Sequence, residues 1–435
     1  MNLDNQEKES TSVEVRPSVE VRPSVEVLDA IMGSGKTTKI IEWMLNNPSQ
    51  KYLYISPMLS EVEERIPTAC EALEFAFPNT EEHTTKSSHL LELLKMGCNI
   101  AFTHSLFTDL SKRHLDLIAK NEYTLIIDEE VSLIDTYSGR YKKGDITALE
   151  RAGHIKVHED DLGRVEWLWE DMTEYTLYSG LRKICEMEML YCTKRNRDMM
   201  VTQLPISLIA SSKRTIILSY LFKGSVMESF LKLRGIEVIP FTEVQLLKDT
   251  TTVLKEAKEL INICSTPATR AVKSYGMSYS WYTQTASKSQ LEKVGAAIRA
   301  VGRKVGKDSL LVTVPKESIT RELSGKRNSR YILPRGVSVE DTFLYCGARA
   351  TNNYSDRSVL IHGFNRYINL VVKSYLQDYG EELDAVPDDD LFALSEMVQW
   401  IWRSRIRNNK PIDIYILPKR MESLLIRWLN GEFSD

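Results

Sequence analysis

One short stretch constrains the fold more than any other part of the chain. Residues 30–37 read AIMGSGKT and stand between a strand-like run, VEVLDA, and a run with helical spacing, TTKIIEWMLNN. Gly33 and Gly35 allow a tight turn whose backbone N–H groups point inward. A strand, such a turn and a helix N-terminus together form an anion site of the kind that holds nucleotide phosphates. The stretch therefore predicts an α/β nucleotide-binding fold.

The side chains of this loop have predicted roles. Lys36 is expected to reach the outer phosphates of ATP, and the Thr37 hydroxyl is expected to bind Mg²⁺. Ala30 stands where the usual pattern has its first glycine. ATP and Mg²⁺ are thus the predicted cofactors, and the further cofactor-binding candidates are Gly33, Ser34, Gly35 and Thr38.

An acidic pair follows a second apolar run. Residues 123–131 read YTLIIDEEV, as a buried parallel strand ending at the nucleotide edge of a sheet would. Asp128 is predicted to hold Mg²⁺, and Glu129 to orient and deprotonate an attacking water. A glutamate in this position favours hydrolysis by water over transfer to a substrate.

Strand and helix patterns alternate along most of the chain, which predicts parallel sheets covered by helices. At 435 residues the chain is long enough for more than one domain. We predict two parallel-sheet domains in tandem, at residues 24–241 and 242–435. A helical or irregular insertion is expected at about 138–205. Residues 1–23 carry a repeated SVEVRP unit and are predicted to be a flexible tail.

Composition excludes several classes of protein. The net charge of −4 predicts no broad basic face, although a narrow basic groove is compatible with it. The six cysteines show no CxxC pair, which indicates reduced thiols. No apolar run has the length of a membrane helix, and the N-terminus has no secretory character. The expectation is a cytoplasmic protein without a membrane partner.

A row of polar side chains lies near the C-terminus, in the stretch QWIWRSRIR. Gln399, Arg403 and Arg407 are spaced by four, which predicts that they share one helical face. Such a row could direct guanidinium groups at phosphates from the second domain. The alternative is a solvated basic end of a helix.

Six stretches occur in the order of helicase motifs: DAIMGSGKTTKI, YISPMLSEVEER, NIAFTHSLF, LIIDEEV, GARATNNYSDR and QWIWRSRIRNNKPIDIYILPKRM. Over about residues 25–430 the chain resembles the phage-encoded DNA helicases of superfamily 2, which have DEAD/DEAH-like cores. The resemblance implies two RecA-like domains. It also implies catalytic roles for Glu129 and Gln399 and an arginine finger at Arg403 or Arg407, because Trp402 replaces the glycine of the pattern Q-x-x-G-R-x-x-R.

The resemblance also implies contacts to the nucleic-acid backbone. Hydroxyls, amides and helix N-termini suit phosphate contacts that read no base sequence. The implied residues are Ser56, Pro57, Thr103, His104, Arg349, Thr351 and Asn352.

The function predicted from the sequence is an ATP-dependent DNA helicase or translocase. It would move along single-stranded or forked DNA in phage replication, recombination or repair, in the host cytoplasm and alongside proteins of those pathways. RNA stays open as the strand, and so does the oligomeric state. The main alternative is a P-loop motor that packages or translocates DNA without unwinding it. A small-molecule kinase and a non-enzymatic binding module are weaker alternatives.

Overall fold

A computed structural model of the protein describes residues 23–81, 83–170, 177–319, 322–323, 326–327, 342–347 and 353–433. Of the predicted tail at residues 1–23, residues 1–22 lie outside the described residues, as do Arg349, Thr351 and Asn352. Within the described ranges, no helix is both long and apolar enough to cross a lipid bilayer.

The strands are short and mostly buried. In chain order they are β1 (Ser24–Asp29), β2 (Tyr52–Ser56), β3 (Ile100–Thr103), β4 (Thr124–Asp128), β5 (Ile134–Thr136), β6 (Ile155–His158), β7 (Arg164–Trp167), β8 (Leu190–Cys192), β9 (Met200–Gln203), β10 (Arg214–Ser219), β11 (Glu237–Pro240), β12 (Ile261–Ile263), β13 (Leu310–Thr313), β14 (Glu322–Leu323), β15 (Lys326–Arg327), β16 (Val359–His362) and β17 (Ile412–Ile416).

The α-helices lie between these strands and cover the sheets. They are α1 (Lys36–Asn46), α2 (Ile66–Ala69), α3 (Lys86–Met96), α4 (His104–Thr108), α5 (Lys112–Asn121), α6 (Asp145–Arg151), α7 (Ser179–Glu186), α8 (Ser207–Ala210), α9 (Val226–Leu233), α10 (Thr250–Leu260), α11 (Pro267–Ala271), α12 (Lys288–Gly302), α13 (Leu370–Gly380), α14 (Asp389–Ile401) and α15 (Lys419–Leu429).

The first sheet has six parallel strands in the order β11-β1-β10-β4-β2-β3. Its strands are buried on both faces, so they read as continuous apolar runs. In β2, Tyr52 and Tyr54 face α1, whereas Leu53 and Ile55 face the core on the opposite side. We call this sheet and its helices the first unit.

The second sheet has four parallel strands in the order β12-β17-β16-β13. We call it and the helices α10, α11, α12, α14 and α15 the second unit. The α/β fold with two parallel sheets in tandem is thus confirmed. The core of the second unit also includes two residues of the first, Ile31 and Tyr220, so the two units pack directly against each other.

The segment at 138–205 contains the helices α6 and α7, but it also contains strands that the helical or irregular expectation did not include. With β5 it forms a five-stranded antiparallel sheet in the order β5-β9-β8-β7-β6. Its strands are three or four residues long and are only half-buried where they carry charges, as in β6 and β7. Such strands lack the apolar runs by which strands are recognised in a sequence. We call this the insertion sheet.

Helix α13 follows β16 of the second unit but packs on the first unit. Its buried residues Val372, Tyr375, Leu376 and Tyr379 belong to the core that contains Leu125 and Phe230. The Tyr375 hydroxyl also donates to the carbonyl of Leu162 at 2.7 Å, in the insertion segment. The chain therefore crosses between the units a second time.

Candidate nucleotide site between the two units

The phosphate-binding loop follows β1 directly. Gly33 and Gly35 have φ angles of +84° and +94°, the left-handed region that glycine adopts without strain. Lys36 begins α1, and its ammonium donates to the carbonyl of Ala30 at the start of the loop. Burial lowers the pKa of Lys36 to about 8, although nearby Asp29 opposes the shift. The loop thus holds a half-buried cation at the N-terminus of a helix.

The other side chains of the loop divide between structure and binding. The buried Ser34 hydroxyl donates to the carbonyl of Ile31 at 2.7 Å, which closes the turn. Thr37 and Thr38 lie in the first turn of α1 and line the cleft. The loop residues predicted to bind a nucleotide therefore lie in one segment, in which the Ser34 hydroxyl is used by the turn itself.

The connection between the units supports the loop from outside. The backbone N–H of Leu247 donates to the carbonyl of Ser34 at 3.0 Å. A Cβ atom added to Gly35 would lie 2.7 Å from Cγ of Leu247, so a larger residue at 35 would displace that side chain. Sequence reasoning missed this contact, because nothing in the residues around Leu247 indicates their partner.

Asp128 ends β4 beside the loop. Its Oδ2 atom accepts a hydrogen bond of 3.0 Å from the Tyr54 hydroxyl, and His104 Nε2 lies 2.9 Å from its main-chain carbonyl. Burial raises the pKa of Asp128 to about 7, with Glu129 adding to the shift and the Tyr54 hydroxyl opposing it. Tyr54 was missed from sequence because a tyrosine in an apolar strand reads as core.

Glu129 has a left-handed backbone, with φ at +64°, which is uncommon for this residue type. Its N–H donates to the carbonyl of Leu218 at 3.0 Å and thereby fixes the turn after β4. Its Oε1 atom accepts a hydrogen bond of 2.7 Å from Nη2 of Arg403. This ion pair joins the two units across the cleft.

The predicted row of Gln399, Arg403 and Arg407 is not one helical face. Helix α14 ends at Ile401, and Ser404 has an extended backbone, with φ −88° and ψ −173°. Arg407 lies in the following 3₁₀ turn. All three residues nevertheless line the same cleft as Lys36, because the chain turns back after the helix.

The arginines of this region have different surroundings. Arg403 is 8% exposed and pairs with Glu129. Burial lowers the pKa of Arg407, and neighbouring Arg403 adds to the shift. Arg405 donates to the carbonyl of Pro411 at 2.5 Å and does not line the cleft. Two cationic groups of the second unit thus border the phosphate loop of the first.

The residues implied to contact nucleic acid lie at the carboxyl ends of β2 and β3. Ser56 is fully buried and its hydroxyl accepts from the N–H of Met58 at 3.3 Å, next to Pro57. The Thr103 hydroxyl caps α4 by accepting from the N–H of Leu106 at 3.4 Å. The side chains of Ser56 and Thr103 thus serve local structure, and a contact to a ligand would fall to the backbone around them.

Two cavities lie between the units. The smaller, of about 330 Å³, contains the phosphate loop, Asp128, Glu129 and the arginines. The larger, of about 840 Å³, is lined by residues 130–135, 225–227, 278–280 and 364–370 among others. Glu130 and Gln399 line both cavities, and the Ser219 hydroxyl donates to Oε1 of Glu130 at 2.8 Å. Ser219 and Glu130 therefore connect the two spaces.

The donors of the smaller cavity suit a hard cation bound together with a nucleotide. Asp128 and Thr37 offer a carboxylate and a hydroxyl, which are oxygen ligands of the kind Mg²⁺ prefers. Among the described residues, no cluster of three or more His, Cys, Asp or Glu side chains is able to hold a metal by itself. The arrangement fits a cation that takes its remaining ligands from phosphates and water.

Comparisons with known proteins agree with this architecture. A family model described as the YonV C-terminal Rossmann-like domain matches residues 255–429. The SPbeta prophage-derived uncharacterized protein YonV of Bacillus subtilis (strain 168) is 29% identical over 427 residues, which is 93% of this chain and 98% of that protein.

Two solved structures are similar to this chain, and the first of them supports the fold. The structure XPD_APO is similar with a TM-score of 0.52 and 15% identity, over 94% of this chain and 95% of that chain. Xpd4 of S. tokodaii matches with a TM-score of 0.47 and 13% identity, over 93% and 94% of the two chains. At this identity the likeness to XPD_APO concerns the fold alone.

Proposed function

We propose that the protein is an ATP hydrolase whose turnover is stimulated by nucleic acid. It would act as a helicase or translocase that moves along single-stranded DNA. The observation that carries the proposal is the ion pair between Arg403 and Glu129. It brings an arginine of one unit to the acidic residue that follows β4 in the other, beside the phosphate loop. A hydrolase whose units close around ATP needs a cation at that place, because charge develops on the transferred phosphoryl group.

Each polar group of the cleft has a role in this proposal. Lys36 binds the outer phosphates, and Asp128 with Thr37 would hold Mg²⁺, which when bound neutralises phosphate charge. Glu129 orients the attacking water and accepts its proton. Arg403 or Arg407 stabilises the charge that develops on the phosphoryl oxygens, and Gln399 helps to position the reacting groups.

The larger cavity supports a nucleic-acid strand as the partner. It lies between the units and carries the half-exposed rings of Tyr279 and Tyr367 together with the polar groups of Asn365 and Lys373. Aromatic faces of this kind suit a single strand that is bound without regard to sequence, whereas the Lys373 ammonium is paired with Asp389. Since Glu130 lines this cavity and the nucleotide cleft, a strand there is able to influence hydrolysis.

The biological setting is part of the proposal. The likeness to a protein of prophage origin supports a phage-encoded enzyme that acts on DNA in the host cytoplasm. Replication, recombination and repair are the pathways in which unwinding is needed, and proteins of those pathways are the expected partners. The backbone contacts remain proposed for Ser56, Pro57, Thr103, His104, Arg349, Thr351 and Asn352.

ATP turnover measured with and without single-stranded DNA tests the function. We expect stimulation by the strand and a loss of at least about 100-fold in Lys36→Ala and in Glu129→Gln. A forked duplex with one labelled strand then tests unwinding. An ATP turnover rate that is the same with and without nucleic acid would refute the proposal of a nucleic-acid motor. Stimulated turnover without strand release would instead favour a motor that translocates or packages DNA without unwinding.

A further inference from the structure

Trp402 is a residue of the second unit that reaches the phosphate loop of the first. It follows α14 directly and lines the nucleotide cleft. A Cβ atom added to Gly33 would lie 3.5 Å from its indole Nε1. The polar edge of the ring, and not its apolar edge, therefore faces the loop.

The ring is held in this orientation by its neighbours. Trp402 lies edge-on to Trp428, with ring centroids 5.8 Å apart and planes at 90°. Trp428 is itself fixed, because its Nε1 donates to the Tyr220 hydroxyl at 2.5 Å. A side chain supported in this way loses little freedom when it forms one further contact.

The indole N–H of Trp402 differs from that of four other tryptophans in the described residues, and Trp169 and Trp281, which also show no acceptor there, do not line the cleft. Trp43, Trp167, Trp400 and Trp428 donate their N–H groups to protein acceptors at 2.5–2.9 Å. In the part of the chain that the structure describes, Trp402 Nε1 has no such acceptor. The indole group is a donor only, and partly buried tryptophans usually satisfy it.

We propose that the indole N–H of Trp402 donates a hydrogen bond to a phosphate oxygen of the nucleotide held in the loop. The inference rests on the proposed function and adds a nucleotide-contacting residue to it. The donor is neutral, so it adds direction and affinity without adding to the charge of Lys36, Arg403 and Arg407. It also gives a reason for tryptophan at the position where the helicase pattern has glycine.

Trp402→Phe tests the proposal, because phenylalanine keeps a ring against Trp428 and removes the N–H. Binding of a non-hydrolysable ATP analogue and of ADP is measured by calorimetry with Mg²⁺ present. A hydrogen bond to a charged acceptor predicts an affinity for the analogue that is roughly tenfold lower. An affinity within twofold of wild type would overturn the proposal.

Trp400→Phe is the matched control. It makes the same chemical change two residues earlier, where Nε1 donates to the carbonyl of Leu344 at 2.9 Å and the side chain does not line the cleft. Its nucleotide affinity is expected to stay within twofold of wild type. A loss equal to that of Trp402→Phe would show that the effect is structural and would overturn the proposal.

A second measurement covers the case in which the variant does not fold. The indole ¹⁵N–¹H signal of Trp402 in wild-type protein should move downfield when the ATP analogue binds, and an unchanged signal would overturn the proposal. The two hypotheses fail differently. A wild-type protein that binds no nucleotide refutes the proposed function, whereas normal binding with an unaffected Trp402→Phe refutes only the indole contact.

Discussion

The two units hold their charged groups in different ways. In the first unit, Lys36 and Asp128 are half-buried, and each is hydrogen-bonded within its own unit, to Ala30 and Tyr54. In the second unit, Arg403 stands beyond the end of a helix, and it forms an ion pair with Glu129 of the other unit. One half of the site is therefore assembled by its own fold, and the other half exists only when the units are together.

A second element of the second unit also packs on the first unit, and it serves structure instead of the cleft. Helix α13, which comes from the chain of the second unit, is buried in the core of the first. The Tyr379 hydroxyl reaches the carbonyl of Cys192 at 3.3 Å in the insertion sheet. Any opening of the nucleotide cleft must therefore leave α13 on the first unit or break its packing. This comparison predicts that the rate of ATP hydrolysis depends on the arginines that reach across the cleft. It predicts that the free energy of unfolding depends on α13.

The largest expected effect comes from removing an arginine of the second unit. Because Arg403 contacts Glu129 directly, we expect Arg403→Ala to lower kcat about 10³-fold while ATP binding changes much less. Arg407→Ala should lower kcat by a smaller factor. Single-turnover hydrolysis and calorimetric ATP binding separate the two quantities.

Arg405→Ala is the control for this series. Its guanidinium donates to the carbonyl of Pro411 and does not line the cleft, so turnover should stay within about twofold of wild type. A greater loss of kcat in Arg407→Ala than in Arg403→Ala would reverse the assignment of the finger. Unchanged ATP turnover in both arginine variants would show that neither arginine of the second unit takes part in hydrolysis.

The preassembled half of the site predicts a pH dependence. The pKa of Asp128 is raised to about 7, so its carboxylate forms, and metal binding improves, as pH rises through that value. The pKa of Lys36 is lowered to about 8, so its attraction for phosphate is lost as pH rises further. Since kcat/KM reports the free enzyme, its profile should be bell-shaped with limbs near these two values.

Tyr54→Phe tests this prediction further, because it should change only the acid limb of the pH profile of kcat/KM. The Tyr54 hydroxyl favours the ionised form of Asp128, so its removal should move the acid limb to higher pH and lower kcat/KM roughly tenfold at pH 6.5. The basic limb should not move. Tyr52→Phe is the matched control, because this hydroxyl on the same face of β2 donates to the carbonyl of Asn47 at 2.8 Å. Equal profiles in the two variants would contradict a role for Tyr54.

Much of the candidate nucleotide site was recognisable from the sequence because its residues are close together in the chain. The glycines, Lys36 and Thr37 are consecutive, and Asp128 and Glu129 end one apolar strand. Alternating strands and helices likewise predicted the two parallel sheets. By contrast, the insertion sheet has strands too short and too polar to be recognised by their pattern.

The other differences between the structure and the sequence-based predictions arise from contacts between distant parts of the chain. A spacing of four placed Gln399, Arg403 and Arg407 on one helix, but the extended backbone of Ser404 ends that regularity. The apolar face of α13 indicates that the helix is buried, yet no pattern says that its partner is the first unit. Tyr54 reads as a core residue and Trp402 as the replacement of a glycine in a motif, because residue type does not show where a hydrogen-bond donor points.

The smallest expected effect tests the role of α13 in stability. Tyr375→Phe removes the hydroxyl that donates to the carbonyl of Leu162, and we expect the free energy of unfolding to fall by about 1 kcal/mol. Denaturant unfolding measures the change, and DNA-stimulated ATP turnover should remain within twofold of wild type. Tyr282→Phe is the control within the second unit, because this buried hydroxyl donates to the carbonyl of Gly363. If Tyr375→Phe lowered turnover tenfold while Tyr282→Phe did not, α13 would take part in the hydrolytic cycle. The view that the arginines of the second unit serve chemistry and α13 serves only stability would then be wrong.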